Sequence, residues 1–236
     1  MPLADLARAL LDTPRWVETR FMLLCEEAVV TGLSADRRRF VSRSTRWPLV
    51  TVVGRPERPF IETAAAGAGP ASTVLCAEPD ADYVAAALPG WERGGADIHA
   101  WPGGVPLPGR PSPEAARFLE PGELADLSQV PADIRTELQV AVDYSPIAVG
   151  LSDGKPVAFC YCAAITESLW DVSIDTLEAH RRLGHAANAF RLVAAAMGER
   201  GKWPVWGSAD DNLPSRALAE RLGFVPAERL ALFEQG

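Results

Sequence analysis

The stretch IDTLEAHRRLGHAANAF, residues 174–190, changes period halfway along. Its first residues close an apolar run, Leu169 to Thr176, that alternates as a strand does. From Ala186 the apolar residues Phe190, Val193 and Met197 fall on one face of a helix. The junction between them carries Arg181, Gly184 and Ala186 at the spacing R-x-x-G-x-A. A strand that feeds a helix through small residues exposes the unpaired N–H groups of the first helical turn, and these, with the positive end of the helix dipole, hold phosphate oxygens. Gly184 removes a side chain where such a group must approach the backbone, and Ala186 keeps the next turn thin.

Charge supports the same reading. From His180 to Lys202 there are five Lys or Arg and one acid, a formal +4, in a chain whose net charge is -8. A local basic spot on an acidic protein suits a compact polyanion and disfavours the wide basic face that nucleic acid or anionic lipid rewards. No apolar run approaches the length of a membrane span, and the N-terminus has no basic stretch followed by a long apolar one. The expectation is a cytoplasmic protein with no nucleic-acid or membrane partner. Cys25, Cys76, Cys160 and Cys162 lack the spacing of a zinc site and read as buried reduced thiols, so no metal is expected.

Upstream of the junction, Ile147 to Leu151 and Val157 to Ala164 flank an Asp153-Gly154 step, a strong hairpin signal, and a second turn at Thr166 to Ser168 leads into Leu169 to Thr176. Three antiparallel strands precede the helix. Downstream, a strand at Pro204 to Gly207, a helix holding Ala217, Leu218 and Leu222, a stop at Gly223 and a last strand complete β-α-β-α-β.

The first half shows a smaller α/β pattern. Leu3 to Leu11 and Trp16 to Val29 have helical spacing. The arginines at 37–39, 43 and 46 read as a solvated face. Strands at Leu49 to Val53, Thr73 to Ala77 and Ala96 to Trp101 alternate with helices at Phe60 to Ala66 and Ala81 to Leu88, which predicts a βαβαβ sheet with parallel strands. Gly54, Gly67 and Gly69 form no dinucleotide fingerprint. Between Pro102 and Pro113, five Pro and three Gly mark a stiff connection. This divides the chain into an α/β segment, 1–113, and a second domain, 114–236, which opens with short helices at Glu114 to Leu119 and Gly122 to Leu127 and a longer one from Ala132 to Val142.

The series IDTLEAHRRLGHA, followed by DNLPSRALAERLGFVP, resembles the GNAT superfamily of acyl-CoA N-acyltransferases over residues 146–236. The whole chain resembles bacterial GNAT-like proteins with an N-terminal α/β extension. The resemblance implies a mixed α+β sheet and acetyl-CoA as acyl donor. It implies that the backbone from Arg181 through Arg182, Leu183, Gly184, His185, Ala186 and Ala187 holds the coenzyme A pyrophosphate. It also implies that the strand of Ile174 and Thr176 pairs with the pantetheine arm, and that Asn212 and Ser215, which also suit a helix cap, look toward the cofactor. The tyrosine that many members use to protonate the leaving thiolate is matched by Ala219.

Acyl transfer to an amine needs a base, and Asp171, Asp175 and Glu167 are the carboxylates near the last meander strand, with Asp171 favoured. Tyr161 on the neighbouring strand is the candidate replacement acid. His180 and His185 read as neighbours of the phosphate, and His99 has no role. Trp101, Trp170 and Trp206 read as core. The acceptor is a small-molecule amine or a peptide amine, and a homodimer is compatible with the sequence. Two rival readings remain: a coenzyme A-binding or interaction module without catalysis, favoured by Ala219, and an acyl donor carried on tRNA or a carrier protein.

Overall fold

A computed structural model describes residues 2–69, 71–127 and 129–235. The elements run α1 (Leu3–Ala9), a 3-10 turn at Pro14–Trp16, α2 (Val17–Leu24), β1 (Ala28–Thr31), β2 (Phe40–Ser44), β3 (Leu49–Val53), α3 (Arg58–Ala66) and β4 (Thr73–Ala77). They continue with α4 (Ala81–Ala85), β5 (Trp91–Ala100), β6 (Ala116–Phe118), a 3-10 turn at Pro121–Asp126 and α5 (Ala132–Ala141). The chain ends with β7 (Ala148–Ser152), β8 (Lys155–Ile165), β9 (Leu169–Thr176), α6 (His185–Gly198), β10 (Trp203–Ala209), α7 (Leu213–Leu222) and β11 (Val225–Gln235). Contacts divide it into two compact units, Met1–Ala100 with Gly207–Ala217 and Pro226–Gly236, and Trp101–Trp206 with Leu218–Val225. That division is interleaved, unlike a single cut after residue 113.

In the first unit β1, β2 and β3 are successively antiparallel, β3 and β4 are parallel, and β11 lies antiparallel on β4 (Leu230↔Ala77 to Glu234↔Thr73). The β-branched residues Val50, Val52 and Val74 bury one sheet face with Ile61, Ala64, Val84 and Phe233. Phe40 and Val53 bury the other under Leu6, Leu10 and Leu23. Full burial of each large apolar side chain contributes about 1.5–3 kcal/mol.

In the second unit β6, β7, β8 and β9 are successively antiparallel, and β9 runs parallel to β10. Asp153 (φ 48°) and Gly154 (φ 74°) form the two-residue hairpin with both φ positive, as the I′ turn requires. One face of this sheet packs on α6 through Cys160, Cys162, Trp170, Val172, Phe190, Val193 and Met197. The other packs on α5 through Val149, Phe159, Tyr161, Leu138 and Ala141. The Pro/Gly segment lies along α6, where Leu107 meets Gly198, Arg110 pairs with Glu199 (2.7 Å) and the Trp101 indole donates to Val105 O (2.9 Å).

Five expectations need correction. The segment Glu114 to Leu119 is not a helix, because residues 116–118 pair with β7 as an edge strand. The second helix stops at Leu24, and Val29, Val30 and Thr31 begin β1 instead. Within the arginine-rich stretch, Arg37, Arg38, Arg39 and Arg46 are exposed as expected, but residues 40–44 form a strand, β2, that the sequence reading did not place, with Phe40, Val41 and Ser42 buried. The strand expected at Ala96 to Trp101 is longer, and β11 lies between it and β4 in the sheet order, so the expected βαβαβ run of neighbours is interrupted. Cys25 is exposed, while Cys76, Cys160 and Cys162 are buried, and all four are free thiols.

Candidate functional site

The pairing of β9 with β10 is short. It covers Leu169, Trp170 and Asp171 against Trp203, Pro204 and Val205 and extends no further along β9. Backbone groups along a strand alternate between its two edges. Ser168 O accepts from Trp203 N (2.8 Å), and Leu177 N donates to Val157 O (2.9 Å) of the opposite neighbour. The N–H and C=O groups of Val172, Ile174 and Thr176 therefore face the β10 side, where the ladder has ended. This leaves an open strand edge of the kind that an extended chain can join.

That edge leads into the junction. A 3-10 turn at Glu178–His180 is closed by His180 N to Leu177 O (2.8 Å) and Arg181 N to Glu178 O (3.2 Å). The backbone then takes left-handed conformations at Arg182 (φ 64°) and at Gly184 (φ 89°), the N-cap of α6. Left-handed residues in such a loop turn successive N–H groups toward one side, the arrangement of anion-binding nests. The amides of residues 182–187 have no hydrogen-bond partner among the described residues, and no side chain caps the helix. Residues 181–184 are exposed, and a Cβ placed on Gly184 would meet nothing within 4 Å. Arg181 Nε donates to Thr176 O (3.3 Å), which sets its guanidinium beside the open edge. The rings of His180 and His185 lie 6.0 Å apart at the same place.

Gly150 holds the helix start against the sheet. A Cβ there would collide with the His185 carbonyl, so only glycine lets the first turn of α6 lie this close to β7. Nothing in the local sequence marks this role, because the contact joins residues far apart in the chain.

On the α5 side of β9 the arrangement is polar. Tyr161 and Ser173 are cross-strand partners, as are Phe159 and Asp175. The Tyr161 hydroxyl donates to Glu137 Oε2 of α5 (2.6 Å) and also bonds Ser173. Burial, and the nearby Glu137 carboxylate, push the Tyr161 hydroxyl pKa well above its ordinary value. Burial pushes the Asp175 carboxyl up to about 6, helped by Glu137 and Asp133, while Arg181 opposes the shift. Sequence reasoning grouped Asp171 with Asp175 on one strand face and did not find Glu137, which comes from α5.

The other expected residues are distributed more widely. Asp171 is half-buried at the last register position of the β9–β10 pairing. Glu167 is exposed in the turn before β9, where Lys202 Nζ donates to the carbonyls of Thr166 and Glu167 (3.0 Å to the latter). Asn212 Oδ1 accepts from Ser215 N (3.2 Å), the helix-cap geometry. Ala219 is fully buried in the core with Phe190, Trp206 and Phe224, away from solvent. Trp170 and Trp206 are core, as expected, and Trp101 packs edge-on against Phe224. Among the described residues no group of His, Cys, Asp and Glu has metal-site geometry, and no helix is long and apolar enough to cross a membrane. Two surface hollows, about 400 Å³ beside Ala66 and Trp91 and about 320 Å³ beside Leu107 and Trp203, lie in other parts of the fold.

Residues 148–233 match the family described as GNAT acetyltransferase. The fold match extends over the whole chain. A GCN5-related N-acetyltransferase-like protein from Streptococcus suis covers 100% of this chain and 98% of its own, at 16% identity and TM-score 0.72. A GCN5-related N-acetyltransferase from Kribbella flavida covers 99% and 96%, at 16% identity and TM-score 0.65. A GNAT-family acetyltransferase from Colwellia psychrerythraea covers 99% and 94%, at 12% identity and TM-score 0.61. No curated protein matches the sequence at a significant level.

Proposed function

We propose that the protein is an N-acyltransferase that moves an acetyl group from acetyl-CoA to the amine of a small molecule or peptide. The supporting observation is the continuity of the open β9 edge with the unpartnered amides of residues 182–187. Those amides, with the dipole of α6 and the side chains of Arg181 and Arg182, bind the coenzyme A diphosphate. The pantetheine arm adds to β9 as an extra strand through the backbone of Ile174 and Thr176. This directs the thioester toward the point where the β9–β10 pairing ends, and a backbone N–H there, such as that of Val172, stabilises the oxyanion.

The acceptor amine must lose a proton to attack. Asp175 is the proposed base. Its raised pKa leaves it ionised at neutral pH and more basic than an ordinary carboxylate, and it lies on the strand that holds the donor. Asp171 and Glu167 are the further candidates, acting directly or through water. Tyr161 has its proton engaged by Glu137, so it is a weaker candidate for protonating the thiolate than for ordering the acceptor side. The thiolate then leaves unprotonated or takes its proton from solvent, which agrees with burial of Ala219 at the usual tyrosine position.

Thiol release from acetyl-CoA across a panel of small amines and peptide N-termini tests this reading. Turnover with at least one amine, dependent on Asp175, is expected. Saturable coenzyme A binding with no turnover on any amine would support the non-catalytic module instead.

A further inference from the structure

Two successive runs of elements share one order. The first runs helix, helix, β1, β2, β3, α3, β4, α4, β5, and the second runs from α5 through β7, β8, β9, α6, β10, α7 to β11. Their pairings agree as well. β1, β2 and β3 form an antiparallel meander whose last strand is parallel to the strand after the next helix, and β7, β8 and β9 do the same with β10. The last strand of the second run, β11, pairs with β4 of the first. By topology β3 and α3 occupy the place of β9 and α6, so the first unit has its own counterpart of the cofactor junction.

That counterpart is closed at each feature on which the second depends. β3 is paired with β4 from Leu49 to Val52, which leaves no run of free edge like that of residues 172–176. The connection spans residues 54–57, against 177–184 in the second unit. Pro59 in the first turn of α3 has no N–H to offer, and Phe60 N is already bonded to Glu57 O (3.1 Å). Glu57 itself stands at the N-cap, where its carboxylate opposes any second anion. The cations there are engaged. Arg55 pairs with Asp80 (2.8 Å) and donates to Pro79 O (3.1 Å), and Arg58 lies over the Tyr83 ring, 5.1 Å from its centroid. The Tyr83 hydroxyl donates to Pro56 O (2.7 Å) and ties the loop down.

We infer that the protein is a duplicated fold in which only the second copy holds a cofactor, and that each chain binds one coenzyme A. This inference rests on the reading of the second junction given above. The first copy's junction serves as a structural corner, and its Arg55–Asp80 pair replaces the anion that such a loop would otherwise hold.

Native mass spectrometry of the full chain with coenzyme A, paired with hydrogen exchange, tests it. One coenzyme A per chain is expected, with slowed exchange at residues 172–176 and 182–187 and none at 53–60. Gly184→Trp is expected to weaken binding by on the order of a hundredfold, since it obstructs several charge-assisted hydrogen bonds. The exchange map on the unmodified protein gives the same answer should that variant fold poorly. Two coenzyme A molecules per chain, or protection at 53–60, would overturn the single-site inference alone. No saturable binding at all would overturn the cofactor reading and this inference with it.

Discussion

The two faces of β9 have opposite chemistry. Trp170, Val172 and Ile174 point toward α6 and are core or packed against it, while Ser173 and Asp175 point toward α5 among Tyr161, Glu137 and Asp133. One face gains stability from the burial of carbon. The other gives stability up, because Asp175 is charged at neutral pH in surroundings that favour its neutral form. This contrast is the reason the acid-base chemistry is proposed on the α5 side.

Asp175→Asn separates the two faces most sharply. It is expected to lower kcat/KM by about 10²–10⁴ in a thiol-release assay, and to remove the rise in rate centred near pH 6. The same variant is expected to unfold at higher denaturant above pH 6. The folded carboxyl titrates near 6 and the unfolded one near 3.8, so its folding advantage is complete below about pH 4 and is lost as pH rises through 6. At pH 7 the charge therefore costs on the order of 1–3 kcal/mol, which asparagine does not incur. A variant both inactive and less stable at pH 7.5 would point to a structural role.

Trp170→Ala should behave in the opposite way. Truncating a fully buried indole is expected to cost about 3–5 kcal/mol in urea unfolding, with activity falling only as folded protein is lost. Gly150→Ala is expected to cost about 1–3 kcal/mol by pushing the start of α6 off β7, and to weaken coenzyme A binding because the amides move with it. Tyr161→Phe is the mildest change. Loss of its bond to Glu137 is expected to cost about 0.5–1.5 kcal/mol and to shift the pH profile, whereas complete loss of turnover would return Tyr161 to the position of proton donor.

The hairpin and the β9–α6 junction were legible in the sequence because their determinants are local. Asp153-Gly154 fixes a hairpin, a change of period marks the β9–α6 junction, and Gly184 needs a left-handed backbone that few other residues adopt. What was missed depends on distant partners. Residues 116–118 are a strand only because β7 offers an edge, β2 is a strand despite Arg43, and Gly150 matters only because α6 returns to it. Glu137 lies on a helix and Tyr161 on a strand, and no spacing rule connects them before the chain folds. The likeness between the two runs of elements is likewise written in their order and strand pairing.

The central claim is that the bare amides at the start of α6 grip a diphosphate. Calorimetric titration of acetyl-CoA into the wild-type protein and into Gly184→Trp, in parallel with desulfo-pantetheine lacking the nucleotide diphosphate, tests it most directly. Saturable binding of acetyl-CoA, lost both in the variant and with the truncated ligand, is the result the account predicts. Equal affinity of both proteins for acetyl-CoA would contradict it.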